Sequence, residues 1–541
     1  MAIQLQRKLK FTGFEIYEKY SRVGGTWAKA VQPNAGCDIA SHFYSYSFAL
    51  SPDWKSTYGS QDEIQAYIEN TLDAAKPPVK PKIRLLHEVL SATWAGPTDF
   101  WIVRIKNLQT GNVFEKKAKV VITAVGVLDI PNTVEDIPGL QSWRDVASPN
   151  TIVVHTATWE TLTKEAVSYG NLPHEMSKAD RERAWMQFIA DKNIVVVGNG
   201  CSANQVVPWL VKAVESSKRG KVTQFVRSPH WVVPKTNRKI SDTFRWCLRY
   251  ISFFNRLYRW YIAVGLDLKM LTFRRTSTGS RQRRKTEDSI KQYMVSTAPE
   301  KYHETLIPRY EFGQKRPVMD HGWLESMKSE KFELISGEDK DICGITNVGG
   351  EGGEAGTVLL TKNDRRIPVD VLVLATGFKT QELLMPIQVR GEDGLALNDV
   401  WRKTGGPEAY MGTSVSKFPN LFLLTGPNTL PTDNSTLVGI ENSIIYIIRL
   451  LRCLLPVNGR PPRFASISPT EDAQRSYNEW IREKLAGLVY DSKVRNWYTN
   501  YETGKNTLVW PGSQLAWWWR TCWVPVRWQD YVKIRAKTEC H

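Results

Sequence analysis

The stretch NIVVVGNGCSANQVVPWL, residues 193 to 210, sets a short apolar run before Gly198-x-Gly200-x-x-Ala203 and a helix-prone tail. That order suits a pyrophosphate. Gly198 permits the tight turn after a strand, Gly200 lets the backbone approach the anion, and the positive end of the following helix faces it. Ala203 stands where a third glycine is common. The next β-prone run, VTQFVRS (222–228), should end beside the adenine ribose. An acid there would select NADH, but the residue is Arg227, whose guanidinium can grip a 2′-phosphate. NADPH is therefore the expected ligand, with a plain surface arginine as the alternative.

A second set of residues forms half of a similar unit. Phe14 to Glu18 reads as a strand ending on an acid, and Gly24 and Gly25 follow. In such a unit the acid lies about 20 residues after the first glycine. Counting back from Glu18 puts that glycine near or before residue 1, so MAIQLQRKL reads as the helix that follows the glycines. The expectation is a chain that starts downstream of its own phosphate-binding loop, through a misassigned start codon or a truncation, and lacks the first strand of that domain.

These residues need elements to hold them. KVVITAVG (119–126), NIVVVGNG (193–200) and VDVLVLATGF (369–378) are apolar, β-branched and end near glycine, as buried parallel strands do. Helical stretches lie between them. In 60–75, Ser60 and Glu63 predict a capping box. Alternating strands and helices predict an α/β fold with parallel sheets. Residues 160–192 read as a polar helical insertion and 237–300 as a basic, aromatic helical insert. GGEGGEAG (349–356) reads as a hairpin or loop, and FRRTSTGSRQRRK, from Phe273 to Lys285, as a solvated loop.

Composition narrows the classes. The chain has 541 residues, a formal charge of +17, 21 Trp and seven Cys. Length predicts several domains. The basic residues are spread along the chain, which argues against a nucleic-acid partner. No CxxC occurs, so neither a zinc site nor a disulfide framework is expected. The N-terminus has no long apolar core of a cleavable signal. WCLRYISFFNRLYRWYIAVGL and GIENSIIYIIRLLRCLL are both interrupted by Arg and predict buried or amphipathic helices, not spans. Contact of the first with a membrane surface stays open.

In order, YEKYSRVGGTW, CDIASHFYSYSF, SPDW, QDEIQAYI, AVGVLDIPN, HTATW, VVVGNGCSANQVVP, VRSPHWVVP, GQKRP, LVLATGF and WPGS run along the chain. This set resembles the class B flavoprotein monooxygenases, and among them the Baeyer–Villiger type, from Met1 to about Trp528. The resemblance implies two Rossmann-like domains, one for FAD and one for NADPH, the second inserted in the first. It places the FAD-binding domain at 1–150 and 371–541, the latter with a C-terminal segment, and the NADPH-binding domain at 193–370. It implies that Glu18 binds the FAD ribose, with Gly24, Gly25, Thr26, Trp27, Tyr44 and Gly126 also on the flavin side. Asp38 would lie beside the flavin and orient Arg316, the two forming the catalytic pair. Lys315 and Arg227 would hold the 2′-phosphate, Gly377 would sit where the domains join, and Trp497 would reach the pocket. His155 would link cofactor binding to domain movement, with Trp159 in the same motif.

The activity so implied is NADPH-driven insertion of one oxygen atom from O₂ into a hydrophobic ketone, giving an ester or lactone, in a cytoplasmic enzyme of secondary metabolism. Flavin activates O₂ where side chains do not. A fixed Arg is the cation such chemistry needs beside the reacting oxygen. The sequence departs from the type at three places. Glu160 replaces Pro or Asp, the Phe-x-Gly half of the signature appears only as Trp143-x-Asp145, and Ala30, Gln32 and Asn34 flank Pro33 unusually. N- or S-oxygenation, hydroxylation, or a chain that binds NADPH without flavin catalysis are the alternatives. For Asp38 and Arg316 the alternative is a structural ion pair.

Overall fold

The computed structural model describes residues 1–96, 100–133, 137–140, 152–160, 162, 178–251, 253–348, 356–457 and 459–536. The GGEGGEAG segment up to 355, and Trp143 with Asp145, lie outside them.

Helix α1 (Ala2–Leu9) buries Leu5 and Leu9 and stops at Lys10, which adopts the left-handed conformation. Strand β1 (Ile16–Tyr17) follows, then α2 (Thr26–Lys29) and α3 (Gln61–Asp73). Ser60 caps α3 from both directions with Glu63, as predicted. Strand β2 (Ile83–Arg84) pairs in parallel with β1. An antiparallel meander of β3 (His87–Trp94), β4 (Trp101–Asn107) and β5 (Val113–Ala118) comes next. Strand β6 (Val121–Thr123) then pairs in parallel with Leu421–Leu423. Among the described residues β1 and β6 each have a strand partner on one side only.

The second unit is built on β7 (Ile152–His155), β8 (Asn193–Val197), β9 (Lys221–Phe225), β10 (Phe332–Ile335) and β11 (Val371–Leu374). They form one parallel sheet in the order β10-β9-β8-β11-β7. All of β11 and the middle of β8 are buried, which is why both read as unbroken apolar runs. The sheet thus takes strands from before residue 193 and from after residue 370, so it crosses both expected domain limits. Helix α4 (Lys178–Ile189), in the expected 160–192 insertion, packs on α5 (Cys201–Val214) through Trp185 and Trp209, whose rings lie 6.3 Å apart.

The 237–300 insert holds α6 (Asp242–Tyr250), α7 (Phe254–Lys269) and α8 (Ser277–Thr297). The last corrects the solvated-loop expectation. Thr276 caps α8, and the buried Arg283 satisfies the carbonyls of Thr272 and Arg274 and pairs with Glu311 at 2.9 Å. Arg283 is thus consumed inside the fold. The chain returns through β12 (Leu421–Leu423), the partner of β6, and the buried α9 (Thr436–Leu454), and ends near α10 (Gln514–Cys522). No helix among the described residues is long and apolar enough to cross a membrane.

Candidate active site

Strand β8 delivers Gly198 to the start of α5. Gly198 has φ of +111°, and a Cβ there would stand 2.4 Å from the Ala375 carbonyl oxygen, so only glycine fits. Gly200 caps α5, and a Cβ on it would meet nothing within 4 Å. The helix N-terminus therefore faces open space, as an anion needs. Ala203 is fully buried against the sheet side of the helix.

Three cations gather beside this turn. Arg227 stands two residues past the end of β9. Lys315 is buried, donates to Ser228 Oγ at 2.7 Å, and its Nζ lies 5.0 Å from the Tyr310 ring centre. Burial, then the charges of Arg227 and Arg495, push the Lys315 ammonium down to about 8. Burial and Arg495 also lower Arg227. Uncompensated positive charge in a half-buried site calls for an anion. Arg495 was not anticipated. It reaches the site because its segment is pinned there. Asn496 Nδ2 donates to the Gln314 carbonyl at 3.2 Å, and the Tyr498 hydroxyl lies 3.2 and 3.1 Å from the carbonyls of Gly313 and Gln314.

Arg316 follows Lys315 and turns the other way. Its Nη2 donates to Asp38 Oδ2 at 2.7 Å. Asp38 sits on a loop tied to α5, where Gln205 Nε2 donates to the Gly36 carbonyl at 3.1 Å and Asn34 Nδ2 donates to the Gln205 carbonyl. Asp38, then Cys201 and Asp433, hold the Arg316 guanidinium firmly protonated against its burial. Asp433 is a further acid that no motif signalled. Burial raises its carboxyl, with Arg316 opposing. It lines a small hollow with Leu266, Met270, Phe273, Thr432 and Trp510. Lys235 and His321 form another unanticipated pair, 3.0 Å apart, close enough to Asp38 to feel its charge.

On the β1 side, the Glu18 carboxylate accepts from the Tyr20 N–H at 3.0 Å, the one donor to it among the described residues. Burial raises its carboxyl. Gly24 and Gly25 have φ of +128° and +57°. A Cβ on Gly24 would strike Gln65, whereas Gly25 opens on empty space at the start of α2 with Thr26. Trp27 Nε1 donates to the Tyr44 hydroxyl at 2.9 Å, and the rings meet edge to face. Gly126 and Gly377 also have positive φ with open space in front of them. A carboxylate with spare acceptor capacity and three open glycines fit a ribose and a flat ring system.

His155 is buried at the junction of the units. Its Nδ1 accepts from the Ala157 N–H at 3.0 Å, and its ring lies 6.0 Å from Phe378, next to Gly377. Burial holds the imidazole down to about 4. Trp159 is fully buried among Trp185 and Trp209 and is absent from the lining of the hollow. The Trp497 carbonyl accepts from Thr380 and Gln381, three and four residues past Gly377. Six free cysteines and no metal-ligating group occur among the described residues.

No known family profile matches the chain. Curated relatives do. It is 28% identical over 550 residues to "FAD-binding monooxygenase ktnD" of Aspergillus niger, covering 98% of this chain and 79% of that protein. It is 28% identical over 515 residues to a Baeyer-Villiger monooxygenase of Streptomyces coelicolor, covering 95% and 86%. Among solved structures, the closed form of cyclohexanone monooxygenase superposes with a TM-score of 0.76 at 23% identity, covering 99% and 96%. Oxidised steroid monooxygenase bound to NADP gives 0.74 at 22%, covering 99% and 97%.

Proposed function

We propose, from the premise that the chain belongs to the class B flavoprotein monooxygenases of the Baeyer–Villiger type, that it converts an apolar ketone to an ester or lactone. It is an NADPH-dependent enzyme whose cofactors are FAD and NADPH. When bound, these supply the reducing equivalents and the activation of O₂.

The residues divide that work. Gly198, Gly200 and the α5 N-terminus receive the NADPH pyrophosphate, and Arg227, Lys315 and Arg495 receive its 2′-phosphate. Glu18 accepts from the FAD ribose hydroxyls. Gly25, Thr26, Trp27 and Gly126 border the flavin. Arg316 is the catalytic cation. Asp38 fixes its direction, and Asp433 sets the charge on its far side. A guanidinium already paired and aimed needs no reorganisation when negative charge develops on the reacting oxygen. His155, the last residue of β7 with its ring against Phe378, couples the two units. Peripheral contact of the 246–266 segment with a membrane is part of the same reading.

The observation that carries it is the Arg316–Asp38 pair, set between the α5 turn and the flavin-side loop. Arg316→Ala should abolish ester formation while NADPH oxidation continues in part, releasing hydrogen peroxide. Chromatography of products beside a peroxide assay tests this. Undiminished ester from the variant would reduce the pair to a structural tie. A sulfoxide or N-oxide as the main product of the unmutated enzyme would overturn the ketone reading.

A further inference from the structure

Helix α7 is apolar on two faces. Its inner face packs Ile262, Ala263 and Leu266 on a core cluster, and Arg259 anchors it by donating to the His42 and Phe43 carbonyls at 3.2 and 3.0 Å. Its outer face carries Phe253, Leu257, Trp260, Tyr261, Val264 and Leu268, each between 44% and 76% exposed. The spacing of 4, 3, 1, 3 and 4 puts them on one stripe. Neighbouring helices extend the stripe. Trp246 and Tyr250 stand exposed on α6, and Trp519 and Trp523 on or just after α10, whose Trp518 ring lies 5.9 Å from Trp260. Among the described residues nothing covers this surface, and a connected apolar area of this kind marks a partner.

The charges around it select the partner. From Asp242 to Arg275 stand seven basic residues: Arg256, Lys269, Arg274 and Arg275 are exposed with no carboxylate partner among the described residues, Arg245 and Arg249 pair with Asp242 and Asp53, and Arg259 is turned inward. Of the two acids there, Asp242 pairs with Arg245, and Asp267 is turned inward, accepting from the N–H groups of Gln514 and Leu515 at the start of α10. From Gln514 to Asp530, Arg520 and Arg527 are present, and the one acid, Asp530, pairs with Arg527 at 3.4 Å. A second copy would bring the same basic rim against this one. Trp and Tyr on a helical face, rimmed by Arg and Lys, match the boundary between lipid headgroups and acyl chains.

We propose that this face docks on anionic lipid, and that α7 separates the bilayer from the hollow beside Asp433, to which we assign the inner end of the substrate's path. Leu266 and Met270, on or next to the inner side of α7, line that hollow. The two surfaces stand one helix apart, about 10 Å. A ketone dissolved in the membrane then enters beside α7 without crossing water. The access step rests on the ketone reading above; the docking does not.

The test separates the two. Vesicles of phosphatidylcholine alone, and of phosphatidylcholine mixed with phosphatidylserine, are floated with the flavin-loaded enzyme, without turnover. The expected result is flotation with the mixed vesicles, weakened by salt, and little with the neutral ones. A double variant, Leu257→Asp with Tyr261→Asp, should partition roughly tenfold less or weaker still, with unchanged flavin content. No flotation of the unmutated enzyme, or equal flotation of the variant, overturns docking. So does a dimer that the variant splits in light scattering, since a second copy would then be the occupant. For access, oxidation of a vesicle-dissolved ketone should fall in the variant while that of a water-soluble ketone stays constant. Equal loss on both overturns the route, and absence of ketone product from both forms overturns the ketone reading while leaving docking to the flotation result.

Discussion

Lys315 is poised to change its charge in the working pH range. Its pKa in the free protein, about 8, lies below its usual value because burial and two arginines disfavour the ammonium. A bound phosphate favours the ammonium, so NADPH binding should take up a proton near and above pH 8. Affinity for NADPH should therefore fall as pH rises through 8, while the weaker affinity for NADH stays flat. Calorimetry in buffers of different ionisation enthalpy reads the proton directly, and release instead of uptake would contradict this placement of the phosphate. Arg227→Ala should weaken NADPH roughly tenfold or more. Arg495→Ala, at an exposed rim, should cost about two- to fivefold and lose its effect in high salt. As proposed anion contacts, Arg227 could be read from its place after a β-prone run and Lys315 only through the family resemblance. Arg495, Asp433 and the Lys235–His321 pair were not legible, because only folding brings them to the site. Trp159 was legible as part of a motif but not as a core residue, since burial is decided by α4 and α5.

Among the elements, the strand–turn–helix at Gly198 has no slack. Gly198→Ala places a methyl 2.4 Å from the Ala375 oxygen at a φ that L-residues avoid, and should destabilise the second unit by about 2–4 kcal/mol. Denaturant unfolding of the variant measures it. The two parallel pairs on the flavin side behave differently from the five-stranded sheet. Ile16, Tyr17 and Val121 to Thr123 are only half-buried, each strand with one free side among the described residues, whereas β8 and β11 are paired on both sides. Amide exchange should be faster by orders of magnitude in β1 and β6 than in β8 and β11. Equal protection would mean the open edges are sealed in solution. The sequence announced β6, β8 and β11 through their apolar runs. It misled at α8, where Ser, Thr and Gly suggested a loop but in fact cap and open a helix whose one buried arginine feeds on backbone carbonyls.

The whole molecule is closed by its last hundred residues. The 494–498 segment grips Gly313 and Gln314 on one side and Thr380 and Gln381 on the other. Tyr498→Phe leaves the Gly313 carbonyl short of a donor, while Gln314 keeps Asn496, and should cost about 1–2 kcal/mol. It should also raise KM for NADPH more than it lowers kcat, because the clamp carries Arg495. Steady-state kinetics tests this, and a pure kcat effect would assign the segment to the chemistry instead. None of this closure could be read from order along the chain, because the contacts join residues far apart.

The pairing of β6 with β12 has a consequence for how the protein is made. Val121 meets Leu421, so about 300 residues must be translated after β6 emerges before its partner exists. At about 5–20 residues per second that is roughly 15–60 s on the ribosome. During that time the inserted unit can begin to fold, but its sheet still awaits β11, and β6 with the β3–β5 meander waits longer. Slower synthesis or a bound chaperone should therefore raise the yield of folded chain, because the hazard lies in the nascent state and not in the finished enzyme.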